Sequence, residues 1–380
     1  MGLPLWDLTE SNPTRCDFAY PSNLLAALTD ADAFLYEPHP KGLFKARQAI
    51  ARYYEEKGWS VDEEHLLLTA STSEAYAFLF RLLLNPGDRV LVPRPSYPLL
   101  DFLADLNDVR LDAYPLVYDD SRWRIDMERL AAAICSDTRA LVLINPNNPT
   151  GSVITLAERE ALVELCHRHN LALISDEVFG DYLFPADVAG EPRSTHHSQS
   201  DDQRVPTLVT TSEVLTFTVS GVSKVLGLPQ MKLAWIVVTG PAHLADEALS
   251  RLEIISDTYL SVSTPVQHAL PRWMTQRNVL ADQILHRLIA NRTMLAKVVS
   301  LSSSCRLLAA DGGWYAVLQL PGVEDEEEFA LNLLDSDGVL VHPGYFFDFA
   351  EPGYVVISLL PPDEIFRTGV GKLIERLARG

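Results

Sequence analysis

Short apolar segments that alternate with helical segments constrain the fold of this chain more than any other feature. The apolar segments are residues 66–68, 90–92, 140–144, 171–174, 214–219 and 234–238. Within them, polar and apolar side chains do not alternate, so neither face of the predicted strands is left for solvent. Such strands are typical of a mostly parallel sheet that helices cover on both faces.

Helical segments lie between several of these predicted strands. Residues 43–57 carry apolar side chains at helical spacing before a glycine ends the pattern. Thr155 is followed three residues later by Glu158, the pattern of a capping box, which predicts a helix over residues 156–169. Strands interleaved with helices predict the α/β class.

The last 130 or so residues follow a different pattern. Helical segments at 242–256 and 266–299, the second interrupted by Pro271, precede strand-like residues 314–320, 339–341 and 354–360 and a final helix at 363–377. A chain of 380 residues is long enough for two domains. We therefore predict a large α/β domain over residues 36–245. The N-terminal arm, residues 1–35, is expected to join residues 246–380 in a second, smaller α+β domain.

Composition excludes several classes of protein. An apolar content of 47% excludes a disordered or collagen-like chain. The 31 basic residues against 51 acidic residues give a net charge of −20, which argues against nucleic acid as a partner. No apolar run approaches the length of a membrane span and no export signal precedes the first strand, so we expect neither a membrane partner nor export.

The cysteine and histidine residues give no sign of a metal site. The four cysteines are far apart and form no CxxC pair, so we expect no zinc site and no disulfide framework, and hence a cytoplasmic protein. His196 and His197 lie in a segment, residues 185–206, that is poor in large apolar residues. We predict that this segment is an exposed loop and that both histidines are solvated.

Unusual residues follow four of the predicted strands. They are PRPSYP after residues 90–92, NPNNPTG after 140–144, SDEVF after 171–174 and SGVSK after 214–219. In open α/β sheets, ligands bind beyond the carboxyl ends of the strands. Each motif alone could be a turn, a cap or a surface charge. Their common position at strand ends instead predicts one binding site.

Together these motifs resemble those of the fold-type I pyridoxal-phosphate enzymes, specifically the class I/II aminotransferases. The resemblance extends from about residue 36 to the C-terminus and depends most on NPNNPTG with SGVSK about 70 residues later. It implies a seven-stranded type of sheet between helices, pyridoxal 5′-phosphate as the cofactor, and transfer of an amino group between an amino donor and an oxo acid or oxo compound. It also implies a homodimer whose subunits share active sites.

The resemblance assigns roles around the cofactor ring. Lys224 matches the lysine that holds the cofactor as an imine and moves the proton between the substrate carbon and the cofactor. Asp176 matches the carboxylate that faces the ring nitrogen and keeps it protonated. Asn148 matches the asparagine that hydrogen-bonds the ring O3′ atom. Tyr97 matches the aromatic residue that stacks on the ring.

A second group of residues matches the phosphate end of the cofactor. A helix start and a cation suit a phosphate, and hydroxyl groups near the lysine add donors. Tyr36 matches a tyrosine that reaches the phosphate of the neighbouring subunit, the basis for expecting a dimer. The other members of this group are Ser71, Thr72, Ser73, Ser220, Ser223 and Lys232.

Departures from the family pattern occur at several positions. Lys232 replaces an arginine, Gly221 replaces a serine, and Phe179 replaces a tyrosine that donates to O3′. The largest departure is Val356, which stands where the family has the arginine that grips the substrate α-carboxylate. An unpaired carboxylate costs about 2 to 5 kcal/mol. Either another cation substitutes, with Arg15 as the candidate, or the amino donor lacks a carboxylate at that place.

Other functions remain open on the same scaffold. A lyase or cyclase would use the same cofactor and lysine, and a catalytically degenerate relative would bind the cofactor without exchanging amines. Transcription regulators related to aminotransferases carry an N-terminal helix-turn-helix extension, whereas here the family pattern begins within about 36 residues of Met1. A nicotinamide dehydrogenase is disfavoured because no GxGxxG follows the first strand.

Overall fold

The computed structural model describes residues 4–189 and 203–379. His196 and His197 lie outside these residues, together with most of the predicted loop. At the start of that loop, the described residues form the short helix Ala186–Ala189.

The described residues form a large sheet, a smaller C-terminal sheet and a two-stranded pair. The strands are β1 (Trp6–Asp7), β2 (Leu66–Thr69), β3 (Arg89–Arg94), β4 (Arg110–Tyr118), β5 (Trp123–Ile125), β6 (Thr138–Ile144), β7 (Ala172–Asp176), β8 (Thr216–Gly221), β9 (Ala234–Thr239), β10 (Arg306–Leu307), β11 (Tyr315–Gln319), β12 (Val339–Leu340), β13 (His342–Pro343) and β14 (Tyr354–Ser358). All six apolar segments of the sequence lie in or overlap strands of the large sheet.

The α-helices surround these sheets. They are α1 (Phe44–Glu56), α2 (Thr72–Leu83), α3 (Leu99–Asp105), α4 (Met127–Ala133), α5 (Leu156–His169), α6 (Ala186–Ala189), α7 (Val222–Val225), α8 (Ala242–Tyr259), α9 (Thr264–Met274), α10 (Arg277–Val299), α11 (Glu326–Asp337) and α12 (Asp363–Arg379). The predicted capping box is present, since Thr155 and Glu158 exchange hydrogen bonds at the start of α5.

The large sheet has the strand order β2-β9-β8-β7-β6-β3-β4-β5. Strands β2, β3, β4, β6, β7 and β8 run in one direction, while β9 and β5 run antiparallel to their neighbours. The predicted fold class, with its mostly parallel sheet between helices, is confirmed. The six apolar segments did not indicate β4 and β5, which extend this sheet at one side to eight strands, against the seven-stranded type that the resemblance implied.

Both faces of the large sheet are buried along its central strands, which explains the apolar runs of those strands, whereas β4, near one edge, keeps polar and exposed positions. In β6, Ala140 and Val142 pack with α2, α3 and α8, whereas Leu141 and Leu143 pack on the other face with α5 and the C-terminal sheet. Side chains alternate across a strand, so two covered faces require a continuous apolar run.

The C-terminal sheet is antiparallel, in the order β10-β11-β14-β13. The N-terminal arm joins this part of the molecule, because β1 pairs with β12. The predicted boundary at residue 245 falls inside α8, which packs on α2 and β9, and α9 packs on α1. We therefore propose that the C-terminal domain begins with α10.

The prediction that Pro271 interrupts the second long helical segment was wrong. Pro271 lies inside α9, and the interruption comes one turn later, between Met274 and Arg277. A proline removes a hydrogen bond and clashes with the preceding turn, but it leaves the following turn free to stay helical. In the described part of the chain, no helix combines the length and apolar character that crossing a membrane requires.

Candidate active site

The carboxyl ends of the parallel strands meet at one cleft, which has a volume of about 180 Å³. The register places Asp176 at the end of β7 opposite Ile144 of β6 and Val219 of β8, so the loops that follow these strands start at the same edge. The predicted residues that line the cleft are Thr72, Tyr97, Asn148, Asp176, Ser223 and Lys224. The structure therefore brings half of the predicted site together from separate loops.

Lys224 lies in α7, directly after β8, and its Nζ atom points among aromatic rings. The Nζ atom is 4.3 Å from the ring centroid of Trp314 and 5.5 Å from that of Phe179. Burial lowers the pKa of Lys224 to about 8, and the nearby charge of Asp176 opposes this shift. Tyr182 fixes the backbone here, because its hydroxyl donates to the Lys224 carbonyl oxygen at 2.6 Å.

Asp176 ends β7 and faces the same cleft. Its Oδ1 atom accepts a hydrogen bond from the Val178 backbone N–H at 3.2 Å, and its Oδ2 atom accepts one from the Tyr76 hydroxyl at 3.0 Å. Burial raises the pKa of Asp176 to about 6, while these hydrogen bonds and the charge of Lys224 act in the opposite direction. Asp176 and Lys224 are the only charged residues among the described residues that line the cleft.

Two buried polar side chains near the cleft have unused hydrogen-bonding capacity. Within the described residues, the Oδ1 atom of Asn148 and the Oγ atom of Ser220 have no hydrogen-bond partner. Asn148 is in the loop after β6, and Ser220 is near the end of β8. Buried polar atoms are normally paired, so unpaired ones beside a cleft are typical of a ligand site.

The N-terminus of α2 opens toward the cleft through Thr72. Ser71 caps this helix, and its Oγ atom accepts a hydrogen bond from the Glu74 backbone N–H at 3.1 Å. Ser73 follows in the first turn. The first N–H groups of a helix have no partner within the helix, so they attract an anion such as a phosphate.

Several residues singled out in the sequence do not line this cleft; besides Ser71, Ser73 and Ser220, they include Lys232, Arg15, Tyr36 and Val356. Lys232 is exposed in a left-handed conformation. The Arg15 side chain is 74% exposed, with its guanidinium 3.9 Å from Glu10. Tyr36 is 76% exposed and lines a separate cavity. Val356 is fully buried in β14, opposite Val317 and His342.

Several residues that shape the cleft were not predicted from the sequence. Tyr76 follows Thr72 by one helical turn, and this spacing could have pointed to it. Trp314, whose ring lies beside Lys224, follows a pair of glycines, and none of the motifs at the predicted strand ends includes it. Lining residues from distant segments gave no signal in the sequence; they are Ser11, Leu99, Leu100, Leu103 and Tyr315.

Comparison with protein families identifies this arrangement. The sequence model of the family described as "Aminotransferase class I and II" matches residues 18–368. The chain belongs to this aminotransferase family. Family members use pyridoxal phosphate, so the predicted family, enzyme class and cofactor are confirmed.

Known relatives of this aminotransferase cover most of its length. It is 26% identical to the glutamate-pyruvate aminotransferase AlaA of Haemophilus influenzae, over 99% of this chain and 91% of the relative. It is 29% identical to the arginine–pyruvate transaminase AruH of Pseudomonas aeruginosa, over 90% of this chain and 83% of the relative. These names support the prediction that the chain is an aminotransferase.

Solved structures show the same fold. An alanine aminotransferase from Pyrococcus furiosus superposes with a TM-score of 0.87 at 22% identity, over 100% of this chain and 93% of the other. An aminotransferase from Escherichia coli superposes with a TM-score of 0.83 at 26% identity, over 99% of this chain and 91% of the other. The first of these comparisons shows the fold alone.

The residues of the cleft fit pyridoxal phosphate. A lysine with a lowered pKa, a buried carboxylate and the half-exposed ring of Tyr97 surround the cleft. The Asn148 side-chain amide lies at the same edge with its Oδ1 atom unpaired, so this amide has hydrogen-bonding capacity left for a ligand. The helix N-terminus at Thr72 offers a place for a phosphate.

Proposed function

We propose that this aminotransferase works in the cleft described above, on amino donors that are not held by an arginine at position 356. The observation that carries the proposal is the pair formed by Lys224 and Asp176. One is a buried amine and the other a buried carboxylate, and no other charged residue of the described chain lines the cleft.

In this proposal, Lys224 and Asp176 are the catalytic residues. When bound, pyridoxal phosphate supplies an electron-withdrawing ring that stabilises negative charge at the substrate carbon. Lys224 would hold the coenzyme through its Nζ atom and, when that amine is free, would carry a proton to and from the substrate carbon. Its lowered pKa keeps a share of this amine neutral near pH 7, as a base requires.

The other predicted residues hold and orient the coenzyme. Asp176 would pair with the ring nitrogen, Asn148 would donate a hydrogen bond to the ring oxygen, and Tyr97 would stack on the ring. The phosphate end is assigned to the start of α2 and to hydroxyl groups beside Lys224. Those residues are Ser71, Thr72, Ser73, Ser220 and Ser223.

We also propose a homodimer in which Tyr36 reaches the phosphate of the neighbouring subunit and Lys232 adds positive charge. The exposure of Tyr36 supports this, as does that of its neighbours: Phe34 is 93% exposed and Leu35 is 57% exposed. Adjacent apolar side chains of this size are normally covered by another protein surface. The four free cysteines support a reducing location such as the cytoplasm.

The proposed class of amino donor follows from the absence of a cation at position 356 and from the position of Arg15. Val356 offers no cation, and Arg15 is directed toward Glu10 at the protein surface. An amino acid bound here would leave its α-carboxylate unpaired, at a cost of about 2 to 5 kcal/mol. The relatives are named for glutamate, pyruvate and arginine, which all carry a carboxylate. We propose that the amino donor of this enzyme has none at that place.

Two measurements test the function. Mass spectrometry after borohydride reduction should place the coenzyme on Lys224. The reduced coenzyme should then survive tryptic digestion as a modified peptide, and a Lys224→Arg variant should lack it. A colourless protein without an adduct at Lys224 would end the proposal.

The donor class is tested by conversion of the bound coenzyme to pyridoxamine phosphate, followed by absorbance. Amines and amino sugars without an α-carboxylate should react faster than alanine or glutamate. Wild-type enzyme that reacts with alanine as fast as with every carboxylate-free amine would contradict this assignment. Release of ammonia and an oxo product without conversion would indicate a lyase.

A further inference from the structure

Tyr76 makes a hydrogen bond that the function above does not use. It lies in the second turn of α2, is almost completely buried, and lines the cleft. Its hydroxyl donates to the Oδ2 atom of Asp176 at 3.0 Å. The contact joins α2 to the end of β7, two elements that are 100 residues apart in sequence at this point.

The acceptor distinguishes Tyr76 from two other buried tyrosines, Tyr114 and Tyr182. Tyr53 also donates to a carboxylate, that of Asp181 at 3.1 Å, but neither of these two residues lines the cleft. The hydroxyl of Tyr114 donates to the carbonyl oxygen of Val142 at 2.8 Å, and that of Tyr182 donates to the carbonyl oxygen of Lys224. Those two hydrogen bonds pair backbone carbonyl oxygens, which do not ionise. The bond from Tyr76 goes to an ionisable side chain, so it changes the energy of one protonation state relative to the other.

Few other groups near Asp176 can change the energy of its protonation states. Lys224 on α7 is the charged group that faces it, Tyr76 on α2 is the second titratable one, and the Val178 N–H holds the other carboxylate oxygen. Tyr114 is a further titratable neighbour on the Tyr76 side. Burial opposes ionisation of Asp176, and hydrogen bonds to its oxygens favour it.

We propose that Tyr76 is a positioning residue that keeps Asp176 ionised and aimed at the ring nitrogen of the coenzyme. The inference rests on the proposed function, because it requires the ring nitrogen to lie against Asp176. A carboxylate that accepts a hydrogen bond from Tyr76 is a weaker base. The proton that it shares with the ring nitrogen therefore stays on the nitrogen, where it is needed to withdraw electrons.

The direct test is nitrogen NMR of the enzyme loaded with pyridoxal phosphate that carries nitrogen-15 in the ring. In Tyr76→Phe, the shared proton should shift toward Asp176 by about a tenfold change in the equilibrium between its two positions, so at the same pH the nitrogen signal should move toward that of an unprotonated ring. A fluorinated tyrosine at position 76, which is a stronger donor, should move the nitrogen signal in the opposite direction. Tyr114→Phe, which loses a buried hydroxyl of the same kind, should leave the signal unchanged.

Kinetics separate positioning from general damage. Tyr76→Phe should lower kcat for amine conversion by about tenfold with little change in KM, since the proton acts in the reacting state. With 1-deazapyridoxal phosphate, in which carbon replaces the ring nitrogen, Tyr76→Phe and wild type should react at equal rates. A rate loss that persists with this analogue would show a structural role and overturn the proposal.

The results of these experiments also distinguish the proposed role of Tyr76 from the proposed function of the cleft. A wild-type protein that forms no adduct at Lys224 would overturn both. An adduct at Lys224 together with identical nitrogen signals in wild type and Tyr76→Phe would overturn the role of Tyr76 and leave the proposed function standing.

Discussion

At the scale of single residues, burial and charge act in opposite directions on the pair in the cleft. Burial lowers the pKa of Lys224 to about 8 and raises that of Asp176 to about 6, and each group limits the shift of the other. Both shifts favour the neutral forms, so before the coenzyme binds this pair holds less charge than two exposed groups would. A neutral amine next to a cleft is prepared for attack on an aldehyde.

The reactivity of Lys224 should therefore follow an unusual pH dependence. The amine attacks only when neutral, so its bonding to pyridoxal phosphate should speed up as pH rises through about 8. An ordinary lysine would show this increase above pH 10. Stopped-flow absorbance of coenzyme-free protein gives the rate, and Lys224→Arg gives the background. A midpoint above pH 10 would contradict the role of burial.

The buried carboxyl group of Asp176 should destabilise the coenzyme-free protein at neutral pH, and the direction of this effect follows from its raised pKa. The unfolded carboxyl loses its proton near pH 4 and the folded one near pH 6, so the free energy of unfolding falls as pH rises between these values. Asp176→Asn removes this pH-dependent fall in stability, so it should raise the free energy of unfolding of the coenzyme-free protein by about 2 kcal/mol at pH 8.

Thermal melts at two pH values test this effect. At pH 4 the variant and wild type should melt alike, because both side chains are then neutral. Asp282→Asn, on an exposed position of α10, should show no such pattern. Equal melting temperatures of Asp176→Asn and wild type at pH 8 would show that the carboxylate is solvated.

The sequence predicted the residues whose position follows from strand ends. Lys224, Asp176 and Asn148 each follow an apolar run, and parallel strands bring such positions to one edge. Tyr76 and Trp314 could not be assigned this way. Their roles depend on how α2 and the segment before β11 pack on that edge, which the pattern within each segment does not contain.

At the scale of elements, the loop between β6 and α5 connects the two parts of the cleft. The carbonyl oxygen of Gly151 accepts hydrogen bonds from the N–H groups of Asp311 at 2.9 Å and Gly312 at 3.0 Å. Gly151 has a φ of +69°, and a Cβ atom there would lie 2.3 Å from the Gly312 carbonyl oxygen. The segment that it contacts leads to Trp314, so this glycine permits the approach of the ring to Lys224.

Gly151→Ala should consequently damage both stability and the cleft. The added Cβ atom and the left-handed backbone together should cost about 2 to 4 kcal/mol, measured by urea unfolding. Trp314 should also move relative to Lys224, which a change in tryptophan fluorescence on coenzyme binding would report. Gly322→Ala is the matched control, because a Cβ atom there meets nothing within 4 Å. Equal unfolding midpoints in the two variants would contradict this account.

Elements of the fold were predictable where one physical pattern dominates. The central strands of the large sheet are apolar on both faces, and α5 carries its capping box, so local sequence determines these elements. The three-residue strand β5 depends on pairing with β4, and the interruption after Met274 depends on how α9 packs on α1. Such tertiary contacts are not visible in a single segment.

At the scale of the whole molecule, one chain supplies only part of the proposed phosphate site. Lys232 is exposed, and Tyr36 lies outside the cleft beside the apolar side chains of Phe34 and Leu35. A twofold symmetric dimer would cover these side chains and exchange Tyr36 between the two sites. Dimer formation and coenzyme binding are then linked, and a charged residue at position 34 should weaken both.

Mixing two inactive variants tests the shared site most directly. Lys224→Ala removes the bonding amine, and Tyr36→Ala should weaken coenzyme binding in the neighbouring subunit. In a mixed dimer, one site has Lys224 from the second variant and Tyr36 from the first, so it is complete, while the other site lacks both residues. Unfolding and refolding an equal mixture should restore about a quarter of wild-type activity, since half of the dimers are mixed and each has one good site.

The same mixture distinguishes a shared site from a dimer with separate sites. If Tyr36 served the site of its own chain, every site in a mixed dimer would lack either Lys224 or Tyr36, and refolding would restore nothing. As a control, Lys224→Ala mixed with Asp176→Asn should stay inactive, because a site takes both of these residues from one chain. Recovery in the first mixture and none in the second would place Tyr36 across the dimer interface.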